Sequence, residues 1–207
     1  MKQIVMAITG ASGAPYARRL AECIVECDAH LHLIISPYGR QLLNDELGLR
    51  DVSVAGLIGR TASNATLYGY HDVGAKIASE SFLTDGMVIC PCSSNSLAAV
   101  ANGLGDNLIA RAATVTLKEA RRLIIVAREM PLSRIEIHNM LRLSEAGAIL
   151  CPASPGFYLL PKSVADLVDF VVGKVLDLLG LPHTLHTRWE PDRPAAASPA
   201  VPRRGSE

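Results

Sequence analysis

The amino-acid sequence predicts one α/β domain, a parallel sheet with helices on both faces. Three observations carry that prediction. Short apolar runs rich in Ile, Val and Leu recur along the chain at 3–8, 30–35, 86–90, 122–127 and 147–151. Longer segments with helical spacing separate them, and near-continuous apolarity is what a strand buried on both faces requires. The first run also passes through a glycine turn, Thr9-Gly10-Ala11-Ser12-Gly13-Ala14, directly into a helix.

Each element follows in order. Ala17, Leu20, Ala21, Ile24 and Val25 fall on one face of the first helix. The second strand ends at Ser36-Pro37, and Tyr38 to Leu47 has helical spacing. Residues 48–70 are poorly patterned, with a third short strand that includes Leu67 and Tyr68. The strand at Gly86–Cys90 should stop at Pro91, which cannot donate to a ladder. Ser93 and Ser94 suit the N-cap of a helix running to Ala101. Asn102-Gly103-Leu104-Gly105-Asp106 breaks it, and further helices are predicted over 107–120, 133–146 and 163–181. The last is apolar but carries Asp166, Asp169, Lys174 and Asp177, so it should lie on a soluble core. From 191 to 207 Pro, Ala, Ser and Arg dominate, a composition that predicts disorder. The predicted units are thus a domain over 1–190 and a tail over 191–207.

Composition narrows the function classes. The 207 residues are 49% hydrophobic and carry formal net charge zero, with basic residues scattered. Nucleic acid and membranes are therefore poor partners. Cys23 and Cys27 read as core residues one helical turn apart, and Cys90, Cys92 and Cys151 have no pair at metal-ligand spacing. No structural zinc is expected, and unpaired cysteines point to a reducing, cytoplasmic setting. The N-terminal apolar run is too short for a signal peptide.

In a parallel sheet the loops after the strands gather at one edge. Those loops hold Ser12, Ser36, Cys92-Ser93-Ser94, Arg128-Glu129 and Pro155-Gly156-Phe157-Tyr158. The turn at 9–14 presents backbone N–H groups at a helix N-terminus, where a phosphate fits. The same residues read equally as an ordinary turn with Ser12 as a cap. Arg111 and Lys118 share one helix face two turns apart, placing two cations together, although each alone reads as a solvated charge. Familiar chemistries fail. Gly10-Ala11-Ser12-Gly13-Ala14 is no nucleophile elbow, no Walker lysine follows the loop, and Pro161 breaks the Tyr158-x-x-x-Lys162 spacing. His138 reads as structural.

These residues resemble the UbiX family of flavin prenyltransferases over Lys2 to Trp189. The resemblance is carried by Thr9–Ala14, Val88-Ile89-Cys90-Pro91-Cys92-Ser93, Asn107-Leu108-Ile109-x-Arg111-Ala112, Leu117-Lys118-Glu119, Arg128-Glu129, Asn139-Met140-Leu141, Pro155-Gly156-Phe157-Tyr158 and Arg188-Trp189. It implies a Rossmann-like, flavodoxin-type three-layer sandwich that binds FMN and joins to it a dimethylallyl group from dimethylallyl phosphate. The product would supply a UbiD-type decarboxylase. Gly10, Ala11, Ser12, Ser36, Ser93 and Arg128 would contact the flavin. Ser79, Arg111, Lys118, Arg128, Glu129, Tyr158 and Lys174 would hold the prenyl substrate. Ser12, Glu46, Glu129 and Trp189 would serve the chemistry, with no metal. Homododecamers with sites built across subunit contacts are implied too.

Two positions depart from the family pattern. Ala78-Ser79-Glu80-Ser81 stands where the family reads Ala-Ser-Gly-Ser, and Lys174 stands where it has arginine. Both correspond to the phosphate side of the prenyl substrate. Two other readings remain. One is a decarboxylase of the homo-oligomeric cysteine-decarboxylase type, although Ser36-Pro37-Tyr38 occupies the place of its active-site histidine. The other is a flavin carrier without turnover.

Overall fold

The computed structural model describes residues 1–185 and Thr187. Trp189 and the 191–207 tail, both assigned roles from the sequence, lie outside the described residues. The strands are β1 (Lys2–Ile8), β2 (Ala29–Ile35), β3 (Ala65–Tyr68), β4 (Gly86–Cys92), β5 (Leu123–Ala127) and β6 (Ile149–Leu150). The helices are α1 (Ala14–Glu26), α2 (Pro37–Leu47), α3 (Val54–Ile58), α4 (Ser94–Ala101), α5 (Leu108–Lys118), α6 (Arg134–Glu145) and α7 (Val164–Leu179). The sheet runs β3-β2-β1-β4-β5-β6 with every pairing parallel.

Strand periodicity divides the core. Ile4, Met6 and Ile8 of β1 face a layer built from α1, α2, α3 and α7. Val5 and Ala7 face the opposite layer, where α4, α5 and residues 75–78 pack. Each such Ile, Val or Met side chain, fully removed from water, contributes roughly 1.5–3 kcal/mol before entropy is charged against it. Both faces are covered, as the unbroken apolar runs predict.

Several boundaries differ from expectation, each for a local reason. β4 continues through Pro91 to Cys92, because the β4–β5 register shifts between Ile89 and Cys92. That irregularity accommodates a residue without an N–H, while the Pro91 carbonyl still accepts from the Thr9 N–H at 3.2 Å. α3 lies inside the segment with no clear pattern; five residues are too few for a periodicity to register. Ser53 caps it by accepting from the Gly56 N–H at 3.0 Å. β6 is shorter than the apolar run that contains it. Asn107 and Ser163 are N-caps rather than helical residues, and Gly180, at φ 65°, ends α7. Cys23 is buried, but Cys27 follows the end of α1 and is only partly covered. No helix among the described residues is long and apolar enough to cross a membrane.

Candidate functional site

Strand order reverses between β1 and β4, so the loops after these strands diverge and leave a crevice at the edge where strands end. Thr9 joins the two sides. Its buried hydroxyl donates to the Pro91 carbonyl at 2.8 Å and accepts from the Ser93 N–H at 2.8 Å. The sequence gives Thr9 only as part of the glycine turn; its bridging role depends on β4, more than eighty residues away.

The turn itself is shaped by close approach. A Cβ on Gly10 would lie 2.5 Å from the Tyr38 Cβ, and one on Gly39 would lie 2.5 Å from the Ile8 carbonyl oxygen. The loop and the start of α2 therefore interlock. Gly13 adopts φ 136°, in the region that favours glycine.

An anion does occupy the N-terminus of α1, and it belongs to the protein. The Glu46 carboxylate, from the last turn of α2, accepts from the Gly13 N–H at 3.0 Å and the Ala14 N–H at 2.8 Å. Ser12 does not cap α1: the N-cap is Gly13, and no side chain of its own bonds there. Partial burial pushes the Glu46 carboxyl up, but the Ser12 hydroxyl and the Ala14 and Gly13 N–H groups, with Arg128 nearby, outweigh it. The group is held below the usual carboxylate range. Arg128 Nε donates to the Ser12 carbonyl at 3.1 Å. Beside it, Glu129 accepts from the Ser94 hydroxyl at 2.9 Å.

Ser36 and Ser93 stand at the same edge as the N-caps of α2 and α4. The Ser36 hydroxyl accepts from the Gly39 N–H at 2.9 Å, and that of Ser93 from the Ser96 N–H at 3.3 Å. Gly10, Ala11, Ser12, Ser36, Glu46, Ser93, Arg128 and Glu129 thus come together around one crevice. Three helix N-termini converge on it, an arrangement that suits a phosphorylated ligand. The neutral hydroxyls and backbone groups of the 9–13 loop suit the polar edge of an isoalloxazine ring, so the residues present fit FMN.

The remaining predicted residues stand elsewhere in the chain. Arg111 and Lys118 lie on α5, on the Val5 side of the sheet, and Lys118 is ion-paired with Glu80. Lys118 ends α5 just before β5 begins, at the edge opposite the crevice. Ser79 adjoins Glu80, its hydroxyl 2.9 Å from that of Ser81. Arg121, which carried no sequence signal, fixes this segment by donating to the Glu80 carbonyl at 2.7 Å and the Phe82 carbonyl at 2.9 Å. Lys174 lies on α7, on the opposite side of the sheet, close enough to Cys151 to act on its thiol. Tyr158 stacks edge-on against Phe170, ring centroids 5.6 Å apart, in the loop before α7. One chain therefore does not gather all of these cations around one phosphate.

A doubly wound sheet with hydroxyls, helix N-termini and an arginine-carboxylate cluster at its switch point defines a nucleotide-binding α/β protein. The Flavoprotein family model matches residues 1–176, and the chain belongs to that family. It is similar to the flavin prenyltransferase UbiX of Halalkalibacterium halodurans, 45% identical over 190 residues, covering 90% of this chain and 92% of that protein. Among solved structures, AnUbiX (PadA1) in complex with FMN and dimethylallyl pyrophosphate matches with TM-score 0.84 at 38% identity, over 91% of this chain and 97% of that one. A dodecameric FMN-dependent UbiX-like decarboxylase from Escherichia coli O157:H7 matches with TM-score 0.83 at 41% identity, over 92% and 100%.

Proposed function

We propose that this protein is a flavin prenyltransferase, transferring the dimethylallyl group of dimethylallyl phosphate to reduced FMN. The observation that carries this reading is the crevice between β1 and β4, where Ser12, Glu46, Arg128 and Glu129 meet. Reduced FMN supplies the nucleophilic ring to which the dimethylallyl carbon becomes attached. In the transfer, the donor's carbon–oxygen bond breaks and its electron pair leaves with the phosphate. Cations facing that oxygen stabilise the developing charge, the part assigned to Arg111, Lys118, Arg128 and Lys174. Tyr158 is assigned to the donor as well, and an aromatic face at Trp189 would stabilise the allylic cation.

Glu129 is the proposed proton acceptor, since ring closure requires a proton to move and the Ser94 hydroxyl orients its carboxylate. Glu46 holds the Gly13–Ala14 start of α1 against the end of α2. Because Lys118 ends α5 at the edge opposite the crevice and Lys174 stands on the other face of the sheet, a complete site draws on neighbouring copies in this reading. We therefore propose a homododecamer with sites at subunit contacts. The catalytic domain is taken to span 1–190, with the 191–207 tail outside it. A cytoplasmic location fits the five unpaired cysteines. A UbiD-type decarboxylase is the proposed recipient of the product.

Mass spectrometry of the bound flavin tests the reading. After anaerobic incubation of the reduced, FMN-loaded protein with dimethylallyl phosphate, the flavin should gain one C5H8 unit and one inorganic phosphate should appear. Glu129→Gln should bind FMN as tightly and leave the flavin unmodified. Unmodified flavin from the wild-type protein would overturn the assignment in favour of a carrier. Carbon dioxide release from a C-terminal cysteine peptide would instead support the decarboxylase reading.

A further inference from the structure

α7 carries one glycine in its interior, Gly173, where glycine weakens a helix. A Cβ there would lie 2.4 Å from Thr187 Cγ2, 2.7 Å from its Oγ1 and 3.0 Å from its Cβ. Gly173 is thus a notch in α7, and the Thr187 side chain fills it. The Thr187 hydroxyl oxygen is buried and has no hydrogen-bond partner among the described residues. Buried hydroxyls are ordinarily paired, so shape and the preceding chain, not a polar bond, hold this one in place.

That preceding chain is well fixed. After Gly180 ends α7, the Leu181 N–H donates back to the Leu176 carbonyl at 3.0 Å, and His183 Nε2 stands 3.2 Å from the Asp177 carboxylate. Cys27, just past α1, donates from Sγ to the Pro182 carbonyl at 3.2 Å. Leu185 packs on the core, and its carbonyl accepts from the Thr187 N–H at 2.9 Å. The contacts step from Leu176 and Asp177 to Gly173, so the segment runs back along α7 towards its start. Phe170, which stacks on Tyr158, lies nearly one turn further, about 4.5 Å along the axis. Arg188 and Trp189 follow Thr187 directly in the chain, and two residues reach at most about 7 Å.

We infer that Thr187 is a positioning residue: seated in the Gly173 notch, it fixes the point, one turn from the Tyr158–Phe170 pair, from which the chain continues to Trp189. This rests on the reading that Trp189 and Tyr158 serve the prenyl donor. An aromatic face stabilises a cation only within about 6 Å of the ring centre. A displacement of an ångström or two where the chain leaves α7 therefore reaches the chemistry.

Trp189 is the chain's one tryptophan, so its fluorescence reports position independently of turnover. In the full-length, FMN-loaded protein, Gly173→Ala should move the tryptophan emission maximum and lower kcat with dimethylallyl phosphate ~10- to 100-fold, while the Kd for FMN stays unchanged. Thr187→Leu, which overfills the notch without altering α7, should do the same. Thr187→Val keeps the volume and loses only an unpaired hydroxyl, so emission and kcat should match the wild type. In Gly173→Ala/Thr187→Ala the two closest atoms are gone; the emission should return and kcat should recover to within ~3-fold of the wild type. Alanine is the better helix former, so a glycine without this role would give a more stable Gly173→Ala with unmoved emission and full turnover. Unmoved emission or unchanged turnover in that variant overturns the inference. So does lost activity in Thr187→Val, or a double variant no better than Gly173→Ala. If the emission shifts and is restored as expected but the wild type prenylates nothing, the anchor stands and the prenyltransferase reading falls.

Discussion

His32 shows how one residue can tie stability to pH. It has no exposed surface, and its ring lies between the Gln3 side-chain oxygen at 2.8 Å and the Tyr68 hydroxyl at 3.0 Å. Burial, with His30 and Lys76 adding to it, pushes its pKa down from 6.5 to about 4. The folded protein therefore keeps His32 neutral while the unfolded chain binds a proton below pH 6.5. Stability must fall as pH drops from 6.5 to 4, by roughly 3 kcal/mol over the whole window, with no further contribution from this group below it. Urea unfolding at pH 7 and pH 5 should show the wild type losing about 2 kcal/mol more than His32→Gln. Equal losses would mean that His32 is not held neutral. The residue was invisible as a special group in the sequence, since an apolar run with alternating histidines says nothing of which face meets Tyr68.

At the scale of elements, the interlock of the glycine turn with α2 governs the crevice. Gly10→Ala would place a methyl 2.5 Å from the Tyr38 Cβ. Neither backbone segment can give way without moving Ser12 or Ser36. The substitution should cost about 1–3 kcal/mol, in line with overpacking elsewhere, and weaken FMN binding with it. A urea midpoint and an FMN titration measure the two effects; an unchanged midpoint would mean that the loop is loose. The strands and helices were largely legible, because apolar runs and cap residues such as Ser93, Asn107 and Ser163 are local signals. α3 and the passage of β4 through Pro91 were not. The first is too short for a period, and the second depends on a register set by neighbouring strands.

The whole molecule leaves an apolar surface where α6 begins. Met130 is 87% exposed and Ile135 71%, an unusual expanse for a face meant for water. With the proposed site divided between the two edges of the sheet, this surface is the natural candidate for the contact between copies. Ile135→Lys should leave the monomer folded, convert the proposed homododecamer to smaller species in native mass spectrometry, and abolish prenylation. An assembled, active variant would place the contact elsewhere.

The sequence by itself determined the class of fold, the parallel character of the sheet, the crevice-edge loops and the family. Each of these is written in short-range pattern: apolar period, glycine at a turn, a cap, a run of motif residues. Tertiary structure alone decided that Glu46 fills the N-terminus of α1, that Thr9 bridges β1 and β4, and that Lys118 belongs to Glu80. It also separated the predicted cations, placing Arg111 and Lys118 on one face of the sheet and Lys174 on the other. A charge carries no mark of its partner in the chain. Partners are chosen by strand order and helix layer, and these follow from how the entire core packs.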